Sequence, residues 1–401
     1  MSPLFGRMAK REPDAGLSAP LRPLRIAMML ESDEPGGAEM MVFRLSDELR
    51  SRGHTVVPVG PENGVGWLGD LFRRNQFTPE VFRLNRAVDP GGVKCLLDLF
   101  ARHRIDLVHS HEFTMAVYGA AAARIAGLPH LITMHGGLTA CKALRRRVAL
   151  RWAMRNSAYN VMVSRATQKQ FSDELDVLPG LFTVVPNGVP VQKGDPSRVR
   201  EEFGISPCEQ VILAVGVLEV HKGHRFLLEA LAQLVGGELP PWKLIIACGA
   251  GGSEHESMAA FIAAAGMQDR VKFAFNRNDV VDLLELADVF VMPSLWEGLP
   301  LAVLEAMVAR KPIIASRIAG IPEAVVHDTE GVLVPPGEVG PLVTSLRSLL
   351  TDPDRRATLG AAARARAERD FTIEVMTDRY EALYAPAFAA SRRSRSFPMS
   401  A

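Results

Sequence analysis

Short aliphatic runs alternate with longer helical patterns twice along this chain, and that repetition limits the fold more than any single motif. Residues 24–30 read as a strand, 38–52 as a helix and 55–59 as a strand; 107–109, 131–134 and 161–163 continue the series. The rhythm restarts with a strand at 211–215, a helix at 224–234 and a strand at 243–248, followed by strands at 271–275, 289–292 and 313–315. Continuous apolar strands separated by helices indicate a parallel sheet covered on both faces. Residues 186–209, rich in Pro and Gly, read as a linker between the two series. The expected architecture is α/β: two doubly wound Rossmann-like domains, residues 22–188 and 189–372. A last helix at 373–390 can pack back on the N-terminal domain, with 1–21 and 391–401 as flexible ends. Ligands of such sheets sit beyond the carboxyl ends of the strands, so a cleft between the domains is the expected site.

Composition supports a globular protein and removes several alternatives. The 401 residues suit two or three domains. Hydrophobic residues make up 48% and charged residues 23%, the mix of a folded protein rather than a disordered or collagen-like one. Lys plus Arg number 46 against 45 Asp plus Glu, so the basic excess of a general nucleic-acid binder is absent. Cys95, Cys141, Cys208 and Cys248 form no C-x-x-C pair, which points away from a zinc knuckle or disulfide scaffold. The N-terminus lacks a signal-peptide core, and no stretch approaches the ~20 apolar residues of a membrane span. The expectation is a cytoplasmic protein, soluble or peripheral at the inner face of the membrane.

The segment Met292-Pro-Ser-Leu-Trp-Glu297-Gly-Leu-Pro300-Leu-Ala-Val-Leu-Glu305-Ala-Met carries the strongest chemical signal. A buried strand ends at Met292, a loop bears Glu297, and a helix begins near Pro300, whose missing N–H costs nothing in a first turn. The amides of Leu301 and Ala302 then offer an anion site at a helix N-terminus. Glu305, about a turn and a half on, can return to the same crevice. Two acids beside an anion site suit a ligand with both phosphates and hydroxyls; the alternative is a solvated loop residue and an ordinary helix-surface residue. Gly36 and Gly37 let backbone approach a phosphate at a helix start, or simply make a tight turn. Lys222, between a strand and a helix, can neutralise a diphosphate without a metal.

These residues, taken in order, resemble the retaining glycosyltransferases of family 4, which have the GT-B fold. The paired glutamates Glu297 and Glu305 match its motif of two acids with seven residues between them. Gly36-Gly-Ala-Glu39, Thr133-Met-His135-Gly136 and Val185-Pro-Asn187-Gly188 match in the first half. The stretch from Val215 to Lys222-Gly223, then Phe275-Asn-Arg277-Asn-Asp279 and Gly320-Ile321-Pro322-Glu323, match in the second. The resemblance implies that Lys222 binds the donor diphosphate, Glu305 the ribose and Glu297 the transferred sugar. It implies that His135 also bonds that sugar, that Gly320 and Ile321 contact the donor through their amides, and that Asn276 and Arg277 edge the base. It further implies a nucleotide diphosphate sugar, UDP-linked as the commoner choice, and no metal for transfer. The acceptor would be a hydroxyl of a glycan or polyprenyl-linked oligosaccharide in cell-surface polysaccharide assembly.

One position departs from the family pattern. Members often carry Arg five residues before the lysine, where this chain has Val217. Either another residue substitutes, with Arg277 as the candidate, or leaving-group stabilisation is weaker. Two rival functions therefore stay open: a sugar-nucleotide epimerase or hydrolase on the same fold, and a non-catalytic sugar-nucleotide-binding subunit. Product analysis separates the first, and donor binding without turnover the second.

Three further features are weighed. His109-Ser-His111 hints at a metal pair, but no acidic third ligand stands at helical spacing, and His111 is instead expected to line the acceptor side. Gly64-Val-Gly66-Trp-Leu-Gly69 satisfies a dinucleotide-binding spacing, yet follows the second strand rather than the first. Residues 142–155, from Lys142 to Arg155, form a basic helix with interleaved apolar residues, suited either to an anionic membrane surface or to plain solvation.

Overall fold

The computed structural model describes residues 22–32, 35–61, 66–84, 88–136, 143–249 and 251–396. Gly64, Lys142 and the end segments 1–21 and 397–401 lie outside the described residues. The chain divides into two units, Met1–Pro186 with Met376–Ala401, and Asn187–Val375.

The first unit runs β1 (Arg25–Met29), α1 (Gly37–Ser51), β2 (Thr55–Pro61), α2 (Trp67–Arg74), β3 (Glu80–Phe82), α3 (Pro90–His103) and β4 (Leu107–His111). It continues with α4 (Glu112–Ala126), β5 (His130–Met134), α5 (Leu144–Arg155), β6 (Tyr159–Met162), α6 (Arg165–Leu175) and β7 (Thr183–Val184). These strands form one parallel sheet in the order β3-β2-β1-β4-β5-β6-β7. Every residue of β4 and β5 is buried, as a sheet covered on both faces requires. That burial carries β4 two residues past the expected end at 109, because Ser110 and His111 are packed inside with their neighbours.

The second unit begins with α7 (Pro196–Glu202), a helix inside the expected linker, started by Pro196 and capped where Asp195 accepts the Ser197 amide at 2.9 Å. It proceeds through β8 (Gln210–Val215), α8 (His224–Ala232), β9 (Trp242–Cys248), α9 (His255–Ala264), β10 (Val271–Phe275), α10 (Val280–Leu286) and β11 (Val289–Met292). Then come α11 (Leu301–Val308), β12 (Ile313–Ser316), α12 (Ile321–Ala324), β13 (Gly331–Val334), α13 (Val339–Thr351) and α14 (Pro353–Asp370). The six strands are parallel in the order β10-β9-β8-β11-β12-β13. In each sheet the winding reverses once, between β1 and β4 and between β8 and β11. Such reversal points are where the loops part and a ligand fits.

The last helix, α15 (Ile373–Ser396), starts in the second unit and from Met376 belongs to the first. Met376, Tyr380, Leu383, Tyr384 and Ala387 form its buried stripe at helical spacing. Arg52 bonds both Asp378 and Glu381, and Glu381 also meets His54 Nε2 at 2.8 Å. The helix runs on to Ser396, past the expected end at 390 and over the part of the expected loose end that is described, 391–396.

Candidate active site

In the second unit, β8 and β11 lie side by side, so the loops that follow them meet at the reversal point. After β8 the chain passes Gly216, makes a 3-10 turn over Val220–Lys222 and enters α8 through Gly223. Gly223 has φ +66°, and a Cβ there would strike the Pro293 carbonyl, so only glycine lets the two loops touch. The contact is laced by Leu295 N donating to the His221 carbonyl at 2.7 Å. Asn187, buried, holds the far end of the second loop by donating to the Leu299 carbonyl at 2.9 Å.

This lacing brings Lys222 and Glu297 together. Lys222 Nζ stands 2.7 Å from Glu297 Oε1, which also accepts from Ser294 Oγ at 2.8 Å. Glu297 is 7% exposed. A lysine held by one carboxylate at the mouth of a sheet can exchange that counter-ion for a phosphate oxygen. The next element favours the same ligand: Pro300 opens α11 without a side-chain cap, leaving the Leu301 and Ala302 amides facing out of the first turn. Glu305 lies half-buried on the same helix.

Three expected contacts do not fit this geometry. Arg277 is consumed elsewhere: its Nε reaches Asp279 at 2.8 Å, one terminal nitrogen reaches Asp279 and Glu202 at 2.7 and 2.9 Å, and the other also bonds Glu202. A guanidinium so paired has two carboxylates to give up before it can meet a phosphate, where Lys222 has one. The amides of Gly320 and Ile321 are also occupied, donating to the Gly298 and Ile318 carbonyls at 3.0 and 3.1 Å.

Gly36 and Gly37 belong to the first unit and do start α1. The space above Gly36, however, holds the Glu39 carboxylate, which a Cβ would strike and which Ser32 Oγ bonds. A carboxylate folded over the helix N-terminus takes the place expected for a phosphate.

His135 follows β5 in this unit and sits on a layer of histidines. Its Nε2 is 3.0 Å from His111 Nδ1, whose other nitrogen meets Met28 Sδ at 3.0 Å. Below them His109 joins Tyr384 OH and Thr133 Oγ1, each at 2.8 Å, and Thr133 meets Tyr380 OH at 3.1 Å. His111 is completely buried, so it supports His135 rather than lining an acceptor surface. Burial pushes His135 down to about 4 and the other two rings well below the ordinary value, so all three are neutral near pH 7. The Nδ1 of His135 is buried without a partner.

Glu112 completes the layer. Its backbone is left-handed, φ +63°, a costly conformation for a side-chain-bearing residue. That turn aims Oε1 at the His135 amide, 3.0 Å away. Burial, then the nearby carboxylates of Glu31 and Glu39, push the Glu112 carboxyl up to about 8 against the pull of that amide. Ser294, Glu112, Tyr380 and Tyr384 were not singled out by motif; only the helical spacing of the two tyrosines could have hinted at their burial.

Among the described residues, no group of three or more His, Cys, Asp or Glu is placed to hold a metal ion, and no helix is long and apolar enough to cross a membrane. On α5, Leu144, Val148 and Trp152 form an exposed stripe, while Leu150, Ala153 and Met154 face the core.

Comparison with known proteins gives these features a context. The family model described as Glycosyltransferase Family 4 matches residues 35–193, and that of Glycosyl transferases group 1 matches 196–366. The chain is 27% identical to an Escherichia coli UDP-Gal:alpha-D-GlcNAc-diphosphoundecaprenol alpha-1,3-galactosyltransferase, over 77% of this chain and 82% of that one. It is 29% identical to a Streptomyces fradiae 2-deoxystreptamine N-acetyl-D-glucosaminyltransferase, over 83% and 87%. In fold it resembles Anabaena Alr3699/HepE, solved in complex with UDP: TM-score 0.78 and 24% identity over 90% of this chain and all of that one. Two matched domain models in order, on two parallel sheets of GT-B type, make the chain a member of the group 1, family 4 glycosyltransferases, which draw on nucleotide sugars.

Proposed function

We propose that this protein is a retaining hexosyltransferase that moves a sugar from a UDP-sugar to a hydroxyl of a glycan or polyprenyl-linked oligosaccharide, in cell-surface polysaccharide assembly. The observation that carries this reading is the Lys222–Glu297 pair at the β8–β11 reversal point, beside the uncapped start of α11. The diphosphate displaces Glu297 from Lys222 and takes the amides of Leu301 and Ala302, while Glu305 accepts from the ribose hydroxyls. Glu297, once released, accepts from hydroxyls of the sugar. The bond from the anomeric carbon to the phosphate oxygen breaks. The acceptor oxygen bonds that carbon on the same face, and the leaving phosphate oxygen takes the acceptor's proton. Lys222 and the helix amides supply the positive counterparts, so transfer proceeds without a metal.

The E. coli relative's diphosphoundecaprenol acceptor and the neighbour's bound UDP support the lipid-linked acceptor and the choice of base. The exposed stripe of α5, set among arginines, fits an anionic membrane surface at the inner face. Cosedimentation with phosphatidylglycerol vesicles tests this: binding that Leu144→Ser with Trp152→Ser abolishes supports it, and unchanged partition refutes it. For the nucleotide, thermal unfolding with UDP, GDP, ADP and NAD in EDTA decides, because a ligand of the folded state raises its stability. A shift with UDP supports the reading; a shift with NAD alone overturns it.

A further inference from the structure

His224, the first residue of α8, has no part in the reaction described above. Its ring is 3% exposed, and neither nitrogen has a hydrogen-bond partner, although the Gly216 and Val217 carbonyls lie near enough to offset some of the loss. Leaving a buried polar group unmatched costs ~1–3 kcal/mol. An apolar ring would avoid that cost, so the imidazole calls for a partner outside the chain.

The surroundings indicate which partner. A Cβ built on Gly216 would stand 3.6 Å from His224 Nε2 and 3.3 Å from Lys222 Cδ, so the ring edge and the lysine stem converge beside a residue with no side chain. Charge is scarce there: Lys222 is matched by Glu297, Val217 is exposed and uncharged, and Arg277 is committed to Glu202 and Asp279. Burial lowers His224 to about 4, so near pH 7 the ring is neutral and carries one N–H.

We propose that His224 binds the diphosphate of the donor, giving its N–H to a phosphate oxygen beside Lys222. The proposal rests on the second unit being the donor site, and it supplies the contact that Val217 cannot make.

Isothermal titration of the full chain with UDP and with uridine tests it. His224→Phe keeps the ring's bulk and removes both nitrogens, so the fold is expected to hold or gain stability. UDP affinity should fall about ten- to a hundredfold, the worth of a hydrogen bond to a charged group. Uridine affinity should stay unchanged. Val217→Arg added to His224→Phe should recover UDP binding. A parallel loss for UDP and uridine, or UDP affinity kept within about twofold while Lys222→Ala loses it, overturns the proposal and leaves the donor site standing. If Lys222→Ala also keeps UDP, the donor-site reading falls and takes His224 with it. Should His224→Phe fail to fold, His224→Asn against His224→Leu makes the same comparison, with the amide retaining UDP binding and the leucine losing it.

Discussion

Replacing Glu297 by Gln separates the two tasks assigned to that residue, holding Lys222 at rest and holding the sugar during transfer. Lys222 Nζ and Glu297 Oε1 are 2.7 Å apart, with side-chain exposures of 19% and 8%. At an effective dielectric of ~20 that separation corresponds to about 6 kcal/mol of gross attraction. Desolvation of both groups offsets most of it. Lys222 can also turn toward water once released, and the Gln carbonyl can still accept from Ser294 Oγ. The net loss of stability is therefore ~1–3 kcal/mol, a few degrees in Tm for a chain of this size. UDP should bind as tightly or more tightly, because Lys222 no longer has a carboxylate to give up. Sugar transfer should fall ~100-fold or more, since a hydrogen bond that grows with charge at the anomeric carbon is weakened. Calorimetry with UDP and a radiolabelled transfer assay read the two effects separately. If Glu297→Gln weakens UDP binding as much as Lys222→Ala does, the glutamate is not a displaceable counter-ion and the reasoning fails.

Tyr384→Phe leaves His109 Nδ1 buried without its 2.8 Å partner, a loss of ~1–3 kcal/mol by urea unfolding with UDP affinity unchanged; full stability would show that the histidine layer does not depend on α15. The Glu112 carboxyl, raised from an ordinary 4.5 to about 8, keeps its proton in the fold where the unfolded chain has released it. Its contribution to stability is complete below pH 4.5 and is lost as pH rises toward 8. The difference in Tm between wild type and Glu112→Gln should follow that window; the neighbouring Glu31, Glu39 and His135 remain in both proteins, and a flat difference refutes the shift. Arg277→Ala should cost some stability through the lost Glu202 and Asp279 pairs and leave UDP affinity unchanged, whereas a large loss of affinity would return Arg277 to the donor site.

Much of the fold was legible because both sheets are parallel and buried, so their strands read as unbroken apolar runs. Residues 271–275 and 289–292 were bounded correctly for that reason. The strands passed over were β3 and β7, too short to carry a pattern, and β13, four residues behind a charged turn. His111 shows a limit of spacing arguments: residues two apart on a strand share a face, but spacing does not reveal that the face is covered, here by Met28 and His135. Lys222 and Glu297 could be found by motif, yet their pairing depends on β8 and β11 being neighbours, a fact of winding order rather than of local sequence. The pairing of Arg277 was not legible, because of its two carboxylate partners, at 202 and 279, one is distant and one adjacent in sequence.

Hydrogen–deuterium exchange of the full chain, with and without UDP and in EDTA, tests the central claim most directly. Donor binding at the β8–β11 reversal point predicts slowed exchange in peptides covering 216–224 and 293–305, abolished in Lys222→Ala. Protection confined to the first unit, or none in those two segments at saturating UDP, would contradict it.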